Sequence, residues 1–144
     1  MTISTRNAAT IVRTGTAVMA SEAKQQFIRD NPDLVTDIRI IATLDLHISP
    51  ICRHLDHEIM PIDKAQYPPY HYNCRSNFQL VFKGEKQSNK RASMNGETDN
   101  VSYYDWLKSQ SKDVQVLALG KERAKLFDKM SAERFKSYLL SKIQ

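Results

Sequence analysis

Apolar residues recur at three- and four-residue intervals over residues 8–30, where Ala17, Ala20, Ala23 and Phe27 fall on one stripe. That period predicts a helix. Gly15 lies inside it, and Asn31-Pro32 ends it, because the residue before a proline avoids the helical region. Residues 38–43, IRIIAT, are a compact β-branched run and predict a strand. Residues 77–82, NFQLVF, alternate, with Phe78, Leu80 and Phe82 on one face, and predict a half-buried strand. Between these strands the chain is polar and irregular from Asp45 to Asn77. It holds Pro50, Pro61, Pro68 and Pro69, which exclude a long helix or a central strand there.

Beyond Phe82 the pattern changes. Residues 83–100, KGEKQSNKRASMNGETDN, hold only Ala92 and Met94 as apolar residues, so a flexible polar connector is expected. The part after such a loop is expected to be an appendage. Residues 101–144 read as helical. Val101, Tyr104 and Leu107 share a face with Trp106 beside them, and a second region, 112–129, breaks at Gly120. Ser131 is the expected N-cap of a last helix carrying Phe135, Tyr138, Leu139 and Ile143. The pattern predicts an α+β fold: an N-terminal helix packed on a small β-sheet with a long Cys/His-containing loop, then a C-terminal helical tail. The expected divisions are 1–82 for the core, 83–100 for the connector and 101–144 for the basic helical segment.

The length of 144 residues suits one domain of ordinary size. The formal charge, 21 − 16 = +5, is uneven. Residues 1–106 carry as many acidic as basic side chains, and the whole surplus lies in 107–144. A uniformly basic nucleic-acid binder is therefore not expected. Lys108, Lys112, Lys121, Arg123, Lys125 and Lys129 lie mostly off the apolar stripe. They form either a solvated outer face or a contact surface for DNA or an acidic partner. No run of 18 apolar residues is present, so no membrane association is expected. The first residues lack the apolar stretch of a signal peptide.

Both cysteines, Cys52 and Cys74, and all four histidines fall within residues 47–74. The spacing His71-x2-Cys74 is that of a metal knuckle, in which a short turn points both side chains inward, and Cys52 closes the site from the other side of a loop. Pro68-Pro69 stiffens the approach. Structural zinc needs four ligands, and His54, His57, Asp45 and Asp56 are candidates for the fourth, with His57 carried as the working choice. Two further readings stand beside zinc: buried free thiols and a disulfide. Catalytic readings lack residues. A His-Asn-His metal nuclease needs a histidine downstream of His71, and none follows. A cysteine–histidine hydrolase needs a base and an oxyanion hole that nothing here specifies. Four dispersed glycines supply no phosphate loop.

A longer ordered series carries a resemblance. It runs Arg13-Thr14, an Ala-rich helix, Asn31-Pro32-Asp33-Leu34-Val35, Ala42-Thr43-Leu44-Asp45, Ser49-Pro50-Ile51-Cys52-Arg53, Leu55-Asp56, and Pro68-Pro69-Tyr70-His71-Tyr72-Asn73-Cys74-Arg75-Ser76. Further on come Tyr103-Tyr104-Asp105-Trp106-Leu107-Lys108, Leu119-Gly120-Lys121, Arg123-Ala124-Lys125-Leu126-Phe127 and Ser131-Ala132-Glu133-Arg134-Phe135. The series, over about residues 10–136, resembles the phage Mu F-like family of minor head proteins, the head morphogenesis domain. Departures are Leu46-His47 where Arg-Thr is usual, His57 where glycine is usual, Tyr72 where proline is usual and Ile40 where an aromatic is frequent. The chain is short for the family, as a compact member, an expressed domain or a prophage remnant would be.

The resemblance implies a non-enzymatic minor head protein of a tailed phage or prophage. It would act in head morphogenesis through the portal or the major capsid protein, in the virion and, during assembly, in the host bacterial cytoplasm. A DNA-contacting protein packaged in the head and ejected with the genome is the first alternative, and a zinc-dependent hydrolase or nuclease the second. Asp45 and Asp56 are expected to accept hydrogen bonds from Arg53 and Arg75 and so lock the loop 43–76, in which Thr43 also belongs to the retained set.

Overall fold

The structure is a computed structural model that describes residues 4–142. It is an α+β fold with a long N-terminal helix, small antiparallel sheets and C-terminal helices. Helix α1, Thr5–Asp30, begins on Ser4, whose hydroxyl accepts from the Asn7 amide, and ends at Asn31 ahead of Pro32. Strands β1 (Val35–Ile41), β2 (Ile59–Pro61) and β3 (Asn77–Phe82) form one antiparallel sheet in the order β2-β1-β3. Ile38 lies opposite Leu80 and Met60, and Ile40 opposite Phe78. Ile28 of α1 joins Val35, Ile38, Ile40 and Phe78 in the core on this sheet. The Lys24 ammonium donates to the Phe78 carbonyl at 2.8 Å and lies over the Phe78 ring.

The inward face of α1 differs from the expected stripe. Ser21 and Ile28 are buried, and Thr10, Thr14 and Ala17 are partly covered. Ala20 and Ala23 face solvent, and Phe27 is exposed with one edge near Phe82. Alanine gains little from burial, whereas Thr14 and Thr10 accept hydrogen bonds from the Asn73 amide and side chain. Those bonds set the rotation of the helix.

The chain then makes a short helix, α2, Pro50–Leu55, capped by Ser49 with Pro50 in its first turn. The expectation of a flexible connector over 83–100 is corrected. Residues Lys90–Ser93 (β4) and Gly96–Asp99 (β5) pair as an antiparallel hairpin. Gly96 takes φ +102°, a conformation side chains avoid. The Met94 amide donates to the Leu44 carbonyl at 2.9 Å, so the hairpin is stitched to the loop after β1. Its stability comes from these long-range bonds and not from its own apolar content.

Helices α3 (Tyr103–Ser109), α4 (Lys112–Leu119), α5 (Lys121–Lys129) and α6 (Ala132–Ser141) complete the fold. The break at Gly120 and the Ser131 cap fall where the sequence places them. Five of the six described helices start on a serine whose side chain accepts an amide of the first turn. Phe135 packs edge to face on Tyr104 and Phe127, which are tilted against each other, with centroids 4.8–6.3 Å apart. Leu139 and Tyr138 are partly covered, and Ile143 lies outside the described residues. Gln115 is buried and donates to the Leu107 and Gln110 carbonyls, which satisfies the open end of α3.

These helices are not an appendage. Tyr103, Tyr104, Trp106, Leu107, Phe127 and Phe135 share one core with Ala42, Leu44, Ile48, Cys52 and Cys74. Burial of each large side chain contributes about 1.5–3 kcal/mol, so this core depends on both ends of the chain.

Candidate metal centre

Cys52 enters the site from the first turns of α2, where Ser49 accepts the Cys52 amide and holds the helix start. His71 and Cys74 enter from the loop that follows Pro68-Pro69, a cis peptide pair. Asn73 takes φ +58° between them, and the Cys74 amide donates to the His71 carbonyl. This is the short turn expected of a His-x2-Cys knuckle, and an asparagine tolerates its left-handed residue.

The three ligand atoms converge. Cys52 Sγ is 3.7 Å from Cys74 Sγ and 3.2 Å from His71 Nε2, and all three atoms lie within 4.8 Å of one another. Metal–sulfur and metal–nitrogen bonds of about 2.3 and 2.0 Å in a tetrahedron place two sulfurs about 3.8 Å apart and sulfur and nitrogen about 3.5 Å apart. The cluster is therefore close to the geometry that a tetrahedral ion imposes. His71 Nδ1 donates to the Tyr72 carbonyl at 2.8 Å, which leaves Nε2 as the unprotonated nitrogen, beside the Cys52 sulfur and the Ser49 hydroxyl. Burial pushes the Cys52 thiol above its ordinary pKa. A cation between the sulfurs offsets that by stabilising the thiolate. Cys52, His71 and Cys74 are thus close enough to bind a metal ion.

The remaining expected site residues are dispersed. His57 is not part of the group: its Nε2 lies 3.0 Å from Asn100 Oδ1. Its backbone takes φ +68°, the left-handed conformation that a glycine would adopt without strain. His54 Nδ1 meets the Tyr104 hydroxyl at 3.3 Å. Asp45 accepts both Arg75 nitrogens, at 2.6 and 3.0 Å, as expected. Burial alone would raise the Asp45 pKa. The Arg75 hydrogen bonds, the His47 amide and the Arg75 charge outweigh it and hold the carboxyl below the usual range.

Asp56 departs from expectation, because its partner is Arg91 and neither Arg53 nor Arg75. Arg53 donates to the Ala118 carbonyl at 2.8 Å and lies over the Tyr103 ring. Thr43 lines the space beside the cluster, and Pro68 is buried at the edge of the groove along α1. Two signals were legible and unused. Ser49-Pro50 is a capped helix start, and Asn95-Gly96 marks a hairpin turn. Arg91 has no sequence signal.

The basic C-terminal set is partly neutralised. Lys112 pairs with Asp128, and Lys125 with Glu122. Lys108 donates to the Phe127 carbonyl and lies over that ring. Lys121, Arg123 and Lys129 are exposed. Three of the six candidate contact residues are thus engaged within the fold.

No helix among the described residues is long and apolar enough to cross a membrane. Comparison with protein-family models, with curated proteins and with solved structures returned no match.

Proposed function

We propose that this chain is a non-enzymatic minor head protein of a tailed phage or prophage, of the Mu F-like kind, whose loop is locked by structural zinc at Cys52, His71 and Cys74. The convergence of those three ligand atoms is the observation that carries the zinc part. Two thiolates and an imidazole are a donor set that suits zinc. The ordered motif series supports the head-protein part. The partners under this reading are the portal and the major capsid protein, met in the bacterial cytoplasm during assembly and retained in the virion.

Two measurements test it. Zinc by elemental mass spectrometry is expected at one per chain, falling in Cys74→Ser and His71→Ala; absence of zinc from protein refolded with the ion present overturns the metal part. Co-expression with the portal and major capsid proteins of a tailed phage is expected to give a complex in size-exclusion chromatography. Failure to associate with either overturns the head-assembly part.

A further inference from the structure

A tetrahedral ion held by Cys52, His71 and Cys74 lacks one ligand. Among the described residues, no other histidine, cysteine, aspartate or glutamate brings an atom into the group. Asp45, Asp56, His54 and His57 are engaged with Arg75, Arg91, Tyr104 and Asn100 respectively. Ser49 Oγ lies 2.9 Å from His71 Nε2, but it is a neutral alcohol already accepting the Cys52 amide.

What adjoins the cluster instead is space. A cavity of about 20 Å³ is bounded by Thr43, His47, Ser49, Cys52, His71 and Arg75. About 10–15 Å³ suffices for one water. His47, Asn73 and Arg75 also line a groove of about 860 Å³ between α1 and the loop, to which Arg6 and Arg13 contribute and whose lining among the described residues includes no carboxylate. Arg75 is shared with Asp45, while Arg6 and Arg13 have no carboxylate partner among the described residues. A divalent ion with two thiolates and a neutral imidazole has no net charge. The groove, not the ion, supplies the field that favours an anion.

We propose that the centre is open: its fourth position takes an exogenous donor, water at rest, exchangeable for a small monoanion that enters from the arginine groove. Exchange breaks one metal–oxygen bond and forms one metal–anion bond from the anion's lone pair, with no change of oxidation state. Sites with three protein ligands and one exogenous ligand are the arrangement of reactive zinc, whereas purely structural zinc is closed by four. The inference rests on the metal reading above and changes what that metal can do.

Cobalt(II) in place of zinc, with azide as the probe, tests it on the full chain. The thiolate-to-cobalt charge-transfer band reports that the metal is bound. The visible ligand-field bands are then expected to shift saturably with azide. The Arg6→Ala, Arg13→Ala double variant is expected to weaken azide binding by about threefold, the scale of exposed charges acting through water. Lys112→Ala, an exposed charge on α4 outside the groove, is expected to keep both the charge-transfer band and the azide response. A four-coordinate spectrum that azide leaves unchanged overturns the proposal, as does a His47→Ala variant that first becomes azide-sensitive, since His47 would then be the fourth ligand. Absence of the charge-transfer band overturns the metal reading itself and is distinguishable from both.

Discussion

The Asp56 carboxylate and the Arg91 guanidinium form a two-pronged buried ion pair. Nη1 meets Oδ2 at 2.9 Å and Nη2 meets Oδ1 at 3.0 Å, with the side chains 0% and 7% exposed. The same guanidinium donates to the Ala42 and Val101 carbonyls, and Asp56 accepts the Ala42 amide. One side chain of the hairpin therefore joins β1, the turn after α2 and the start of the C-terminal helices. Removing either partner strands a buried charge. Asp56→Ala and Arg91→Ala are each expected to cost about 3–5 kcal/mol, measured by urea unfolding, and the double variant to cost less than their sum.

Metal removal has a thermal signature. An ion at about a hundredfold its dissociation constant adds about 2.7 kcal/mol. At about 3 °C per kcal/mol for a chain of this size, chelation is expected to lower Tm by about 8 °C. Cys52→Ser and Cys74→Ser are expected to abolish that response, read by calorimetry with and without chelator.

Acid acts through Asp45. Its folded pKa is held below the value of about 3.9 expected when unfolded, so the unfolded chain takes up the proton first. The stabilisation is complete above about pH 4 and is lost as pH falls through the folded value. Arg75→Gln is expected to be less stable than the parent above that range, and the two stabilities are expected to converge below it. A constant gap across a pH series of urea unfolding curves would exclude this linkage.

His57 offers a test of backbone strain. At φ +68°, a side chain bearing Cβ is strained where glycine is not. His57→Gly is expected to exceed His57→Ala in stability by about 1 kcal/mol, the reverse of the usual order, because both lose the Asn100 contact and only the backbone differs. Equal thermal midpoints would show that the turn carries no strain.

The lysine pairs predict weak nucleic-acid binding. Lys112→Ala and Lys125→Ala are each expected to change stability by under about 1 kcal/mol, since both pairs are exposed. Duplex DNA is expected to bind only at low salt, and a fluorescence anisotropy titration that persists unchanged at about 0.2 M salt would contradict this.

Elements with a local period were legible before the structure: α1, β3, the Gly120 break and the Ser131 cap all follow from nearby residues. β1 was placed three residues late, because Val35-Thr36-Asp37 breaks the apolar run while still pairing with β3. The hairpin escaped because its stability comes from Asp56, Leu44 and Ala42, residues 35 to 50 positions away. Within the candidate centre, His71, Cys74 and Cys52 could be read from donor chemistry and spacing. The absence of His57 could not, since its direction is set by Asn100 across the fold.

The shared core has a consequence for synthesis. Cys52 and Cys74 belong to one buried cluster with Trp106, Leu107, Phe127 and Phe135, so that cluster is incomplete until the last helices exist. On the ribosome, both thiols emerge well before their cover, exposed to oxidants and to competing ions. Completion of the cluster's surroundings is thus a late event that waits for the C-terminal helices to dock.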